Sequence, residues 1–172
     1  MPMVGLGVYN ISERETQRVV EDAISAGYRS IDTAAMYYNE KGVDDAKVMP
    51  VVNQCETHVL YQQRKMLEYL KPYDTALEAW SPLAEGRHGI FKNPTLTAIG
   101  EKYGKTSAQI ALKFLAQNNI IIIPKTTHKE RMIENIDLFD FTLSDDDLQA
   151  IQRLDTGHNV TGWPSDALKY EV

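Results

Sequence analysis

Residues 120–135 read IIIIPKTTHKERMIEN, and this stretch decides the fold. Four consecutive isoleucines do not alternate with polar residues as a half-wet strand would. A continuous apolar run of this length predicts a strand covered on both faces, the mark of a parallel sheet under helices. Pro124 ends the run, because proline has no N–H to give to a ladder. Thr127 and Glu130 follow with capping-box spacing, which satisfies two otherwise orphaned amides, so a helix is expected from there to about Asn135. Strand passes into helix with only a few residues between them.

The same rhythm runs outward in both directions. Upstream, Ile110, Ala111, Phe114 and Leu115 form the apolar stripe of a helix over 107–118, separated by Gly104 from another over 95–103. Residues 75–80 read as a strand ended by Pro82, 62–70 as a helix stopped by Pro72, and valine-rich 48–54 as a strand. At the start of the chain, 3–8 form a short strand broken by Gly5 and Gly7. Ser12 and Glu15 make a second capping box, Val19, Val20, Ala23 and Ile24 recur at helical spacing, and Gly27 stands where a helix-ending glycine belongs. Another strand covers 28–33. Downstream, Ser144 caps a last helix carrying Leu148, Ile151 and Leu154, and the chain after Gly157, without periodicity, is expected to run over the surface. Alternating strands and helices imply α/β architecture with a parallel sheet and helical crossovers. One link breaks the rhythm: 14 residues, including Gly42 and the charged run DDAK, separate Thr33 from Val48. That is short for a crossover with a proper helix.

The 172 residues suffice for one domain, and their 43% hydrophobic and 24% charged content is that of an ordinary globular chain. A net charge of −6 and the absence of any basic stripe argue against a nucleic-acid partner. No apolar run approaches the roughly 20 residues of a membrane span, and the N-terminus lacks the pattern of a signal peptide. A single cysteine, Cys55, excludes an internal disulfide and suits a reducing, cytoplasmic setting. The four histidines show no metal-ligand spacing, and neither a P-loop nor a G-x-G-x-x-G is present.

Chemistry concentrates at predicted strand ends. Asp32 and Tyr37 follow the second strand; a tyrosine can donate a proton to a carbonyl if a nearby cation lowers its pKa, although a capping aspartate and a packing tyrosine would read the same. Lys125, Thr126 and Arg131 surround a helix N-terminus and form a ready anion site, suited to a ribose phosphate, unless they are solvated surface charges. Gln54 ends the third strand and could hold a carboxamide, or simply terminate the strand. Trp80 ends the fourth and could stack on a flat ring or lie in the core.

Taken together, GYRSIDTAAMYYNEKGV, PVVNQCETH, EAWSPLAEGR and the segment from Ile121 to Asp155 resemble the aldo-keto reductase family over nearly the whole chain. The resemblance implies a (β/α)8 TIM-barrel fold and NADPH-dependent reduction of aldehydes or ketones to alcohols by hydride transfer. It implies Asp32 and Tyr37 as catalytic residues, with Tyr37 the proton donor. It implies Gln54 at the nicotinamide carboxamide, Trp80 against its ring, and Ser81 and Leu83 at the pyrophosphate. Lys125, Thr126 and Arg131 fall at the 2′-phosphate, and Glu134 and Asn135 at the adenine. The family's catalytic lysine and histidine have no counterpart: the chain contains no T-K strand end, no H-W-P and no G-V-S-N-F. A full barrel takes roughly 250 residues. The expectation is therefore one domain over 1–172, with an internal deletion near 43–48 and an incomplete barrel of about five parallel strands. Its partners would be a small carbonyl compound and, through open sheet edges, other copies of itself. The alternative is a catalytically impaired NADPH-binding remnant.

Overall fold

The structure, a computed structural model, describes residues 6–8, 11–28, 31–32 and 52–162. Five strands lie among them, every pairing parallel, in a two-stranded sheet β1–β2 and a three-stranded sheet ordered β3–β4–β5. This is α/β architecture, a partial (β/α)8 barrel with about five strands.

In the first unit, β1 (Leu6–Gly7) and β2 (Ile31–Asp32) are joined through α1 (Glu13–Ser25). Val8 and Val20 are fully buried between them, with Leu6, Ile11, Ile24 and Ile31 packed around. The helix ends as its glycine predicts. Gly27 takes φ +100°, its amide donates to the carbonyl of Ile24, and Tyr28 N–H reaches back to Ala23, which together satisfy the terminal carbonyls. The capping box at its start is not formed. Ser12 holds the N-cap position, but its hydroxyl donates to the Glu15 carboxylate at 2.9 Å instead of accepting an amide.

The larger unit carries β3 (Val52–Glu56), α2 (Arg64–Leu70), β4 (Ala76–Trp80), α3 (Pro94–Tyr103), α4 (Ser107–Gln117), β5 (Ile121–Ile122), α5 (Lys129–Ile136) and α6 (Asp145–Gln152). Its core joins Leu77 and Ala79 of β4 to Leu70, Leu96, Ile99, Ile110, Leu115 and Ile151 of the helices. The predicted stripe of α4 is buried in full. Gly104 closes α3 in the left-handed region at φ +64°. Asn93, Thr106 and Ser144 cap α3, α4 and α6 with their side chains.

Several expectations are corrected. The strand of 48–54 runs on to Glu56, because Cys55 and Glu56 still pair with Ala79 and Trp80; positions 48–51 lie outside the described residues. Helix α2 starts at Arg64 and not at Gln62. Gln63 is left-handed at φ 52°, and the buried Gln62 and Gln63 amides instead bind the carbonyls of Val59 and Glu56. The isoleucine run is covered on one face only: Ile120 is buried, whereas Ile121 and Ile123 are 41% and 46% exposed. Ile120 and Ile122 pack into the core cluster, whereas Ile121 and Ile123 do not. Thr127 and Glu130 form no capping box. Helix α5 begins one residue later with His128 at the N-cap and no side-chain cap, while Thr126 accepts the His128 amide. The tail after Gly157 is not wholly superficial, for Thr161 is buried.

Candidate functional site

The parallel sheet aims its strand C-termini at one end, where α/β folds gather ligands because the loops there are free of ladder constraints. Beside that end lies a cleft of about 390 Å³, lined by Leu83, Phe91, Thr106, Ser107, Ala108, Lys125, Thr126, Arg131, Glu134 and Asn135. Six residues singled out in the sequence therefore line one cavity: Leu83, Lys125, Thr126, Arg131, Glu134 and Asn135. Lys125 and Arg131 form no ion pair with any described residue. The first amides of α5 have no intrahelical acceptor and no side-chain cap. Two cations and a bare helix N-terminus make this cleft attractive to an anion, even in a chain of net charge −6.

Its far wall is fixed from α4. Thr106 and Gln109 complete a capping box. The Thr106 hydroxyl also donates to Glu134 Oε1 at 2.5 Å, and Gln109 Nε2 donates to the Glu134 carbonyl at 3.2 Å. Lys105 adds contacts of 2.8 Å to both Asp137 and Asp140, and these hydrogen bonds hold its pKa above the ordinary lysine value. Thr106, Ser107, Ala108 and Phe91 went unnoticed in the sequence. Thr106 carried the one available signal, its spacing to Gln109.

The remaining predicted residues sit elsewhere. Gln54 is exposed on β3 in register with Glu78, and its amide donates to the Glu78 carboxylate. Trp80, partly buried, closes β4 opposite Glu56. Ser81 follows at φ 54°, and its buried hydroxyl oxygen has no hydrogen-bond partner. Such an orphan carries a desolvation penalty that a polar ligand could relieve. Asp32 pairs with Gly7 at the end of β2; its side chain, and Tyr37 entirely, lie outside the described residues. Among the described residues no cluster of three or more His, Cys, Asp or Glu could hold a metal.

A second polar assembly, also missed in the sequence, lies at the end of β3. The buried Glu56 carboxylate accepts from His58 Nε2 at 3.0 Å, from the Val160 amide at 2.9 Å, and from the Thr161 amide and hydroxyl. Burial would push its pKa up, but the hydrogen bonds from His58, Thr161 and Val160 outweigh that and hold it below the usual carboxylate range. The Val160 and Thr161 carbonyls accept in turn from His88 and Arg87. Segment 160–161 is thus clasped between β3 and the loop that carries Ser81 and Leu83.

The described strands and helices form part of a parallel α/β barrel, with a cleft beside the strand C-termini that carries two cations. The sequence profile of the Aldo/keto reductase family matches residues 40–156, and the chain belongs to that family. Methylglyoxal reductase DkgA of Escherichia coli (strain K12) is 27% identical over 252 aligned positions, covering 93% of this chain and 92% of that one. Glyoxal reductase of Bacillus subtilis (strain 168) is 35% identical over 158 residues, 90% of this chain but 56% of its own length. A point mutant of Gox0644, crystallised in complex with NADPH, superposes with a TM-score of 0.66 at 26% identity, covering 100% of this chain and 95% of that one. Because 252 aligned positions exceed 172 residues, part of DkgA has no counterpart here.

Proposed function

We propose that the chain binds NADPH and reduces small aldehydes or ketones to alcohols, with Tyr37 as proton donor. The observation that carries this reading is the convergence of Lys125, Thr126, Arg131, Glu134, Asn135 and Leu83 on one cleft. The residues present fit the cofactor. Lys125, Arg131 and the bare amides of α5 suit a 2′-phosphate, and the unpartnered Ser81 hydroxyl suits a pyrophosphate oxygen. When bound, the cofactor supplies a hydride to the carbonyl carbon. Gln54, Glu134 and Asn135 orient it by hydrogen bonds, and Trp80 offers a flat apolar surface. The Tyr37 phenol protonates the carbonyl oxygen, and Asp32 shapes the field around it.

A second reading, an NADPH-binding remnant without turnover, is favoured by one observation. The sequence holds no T-K strand end and no H-W-P, so Tyr37 lacks the lysine and histidine motifs of the family. General acid–base groups contribute about 10²–10⁴-fold each, so this loss is severe. We place the join between the two parts of the barrel near residues 43–48. Peptide sequencing of the natural protein that finds further residues within 43–48 overturns it.

Titration with NADPH under tryptophan fluorescence tests the common part. The expected result is a saturable quench that Trp80→Phe abolishes; no saturation overturns the cofactor reading. Carbonyl-dependent NADPH oxidation then separates the two. Turnover within tenfold of an ordinary family member supports the reductase, and binding without turnover supports the remnant. Among the described residues no helix is long and apolar enough to cross a membrane. We place the chain in the cytoplasm, where its single Cys55 stays reduced, and expect the edges of β3–β4–β5 to draw copies together. Cell fractionation and sedimentation velocity check the two statements.

A further inference from the structure

Helix α5 carries Arg131, Glu134 and Asn135 into the cleft, yet none of its residues is buried and it has no side-chain cap. An isolated helix of eight residues is marginal in water. Something outside the helix must therefore fix where these side chains stand. The turn before α4 does so. Thr106 spends its hydroxyl twice, accepting the Gln109 amide at 3.2 Å and donating to Glu134 Oε1. Gln109 likewise completes its own cap, with Oε1 accepting the Thr106 amide at 3.0 Å. Its Nε2 reaches across to the carbonyls of Glu134 and Asp137. A motif that normally closes on one helix here spans two.

We propose that Thr106 is a positioning residue for cofactor recognition. By engaging one oxygen of Glu134 it orients the carboxylate, so that Oε2 presents an acceptor to the exocyclic amino group of a purine base. This inference rests on the cofactor reading above. A neutral hydroxyl fixes the carboxylate without neutralising it, whereas an ion pair to a lysine would weaken it as an acceptor. The hydroxyl also leaves the nearby cations, Lys125 and Arg131, to the phosphate.

The test uses adenosine 2′,5′-bisphosphate and its inosine counterpart, which lacks the amino group, with calorimetry on the full chain. The unmodified chain should prefer the adenosine compound about tenfold, the scale of one hydrogen bond to a charged group. Thr106→Val should bring that ratio to near one, Thr106→Ser should keep it, and pyrophosphate affinity should be equal in all three. A ratio unchanged in Thr106→Val overturns the assignment while leaving the cofactor reading intact. Failure of the unmodified chain to bind either compound overturns both. Equal losses for both compounds and pyrophosphate mark Thr106 as structural and also overturn it.

Discussion

Helices α4 and α5 stand side by side, and they differ in what holds them. Eight of the eleven residues of α4 are buried, and a complete capping box opens it. Helix α5 buries none of its eight, and Met132, Ile133 and Ile136 are 50%, 60% and 70% exposed. The first is scaffold, its position set by the hydrophobic effect over a wide apolar face. The second buries no residue of its own and is held by polar clamps from the first. Residues offered to a ligand cannot also be spent on the core, so the helix facing the cleft needs its stability from a neighbour.

The comparison can be broken most forcefully at the scaffold. Leu115→Ala, at a fully buried site of α4, is expected to cost about 3 kcal/mol from lost transfer energy and the cavity left behind. Urea denaturation reads the value, and a loss below 1 kcal/mol would show that α4 is not the scaffold.

Next in size is the anchor that ties α6 to α3. Asp147 accepts from Lys102, Tyr103 and Ser144. Burial pushes its pKa up, but these hydrogen bonds outweigh burial and bring it from 3.8 down to about 2. The folded value lies below the unfolded one, so the stability it confers is present above pH 3.8 and is lost as pH falls toward 2. That contribution is roughly 2 kcal/mol at most, discounted because the Lys102 side chain is 59% exposed. Asp147→Asn should flatten the acid limb of the stability curve; an unchanged limb would contradict the anchor. Glu56 shifts in the same direction and adds to the loss on the acid side.

The third change separates function from scaffold. Arg131→Ala should weaken NADPH binding about tenfold, one lost charge-assisted contact, with unfolding free energy unchanged within about 0.5 kcal/mol. Parallel losses in both measurements would place Arg131 in the fabric of the fold. The smallest effect is expected at Ile133→Gln on the outer face of α5. Stability should change by less than about 0.5 kcal/mol, and self-association should weaken if that face contributes to it. Thermal denaturation and sedimentation measure the two.

The sequence alone determined the succession of strands and helices, the family, and most of the cleft. Those signals are local: periodicity in 107–118, the proline that follows the isoleucine run, cations flanking a helix start, and motifs read in order. Tertiary structure alone decided which face of the isoleucine run stays open, because the core residues that pack against the other face come from elements far away in the chain. It alone revealed the Glu56 clasp on Thr161, a pairing 105 residues apart, and the Thr106 bond to Glu134 across 28. It also overruled the Thr127 cap, whose Thr-x-x-Glu spacing matches that of the Thr-x-x-Gln box that Thr106 completes. Capping spacing states only what a side chain can reach. Whether it reaches there depends on the competing partners that folding brings near, and those come from other parts of the chain.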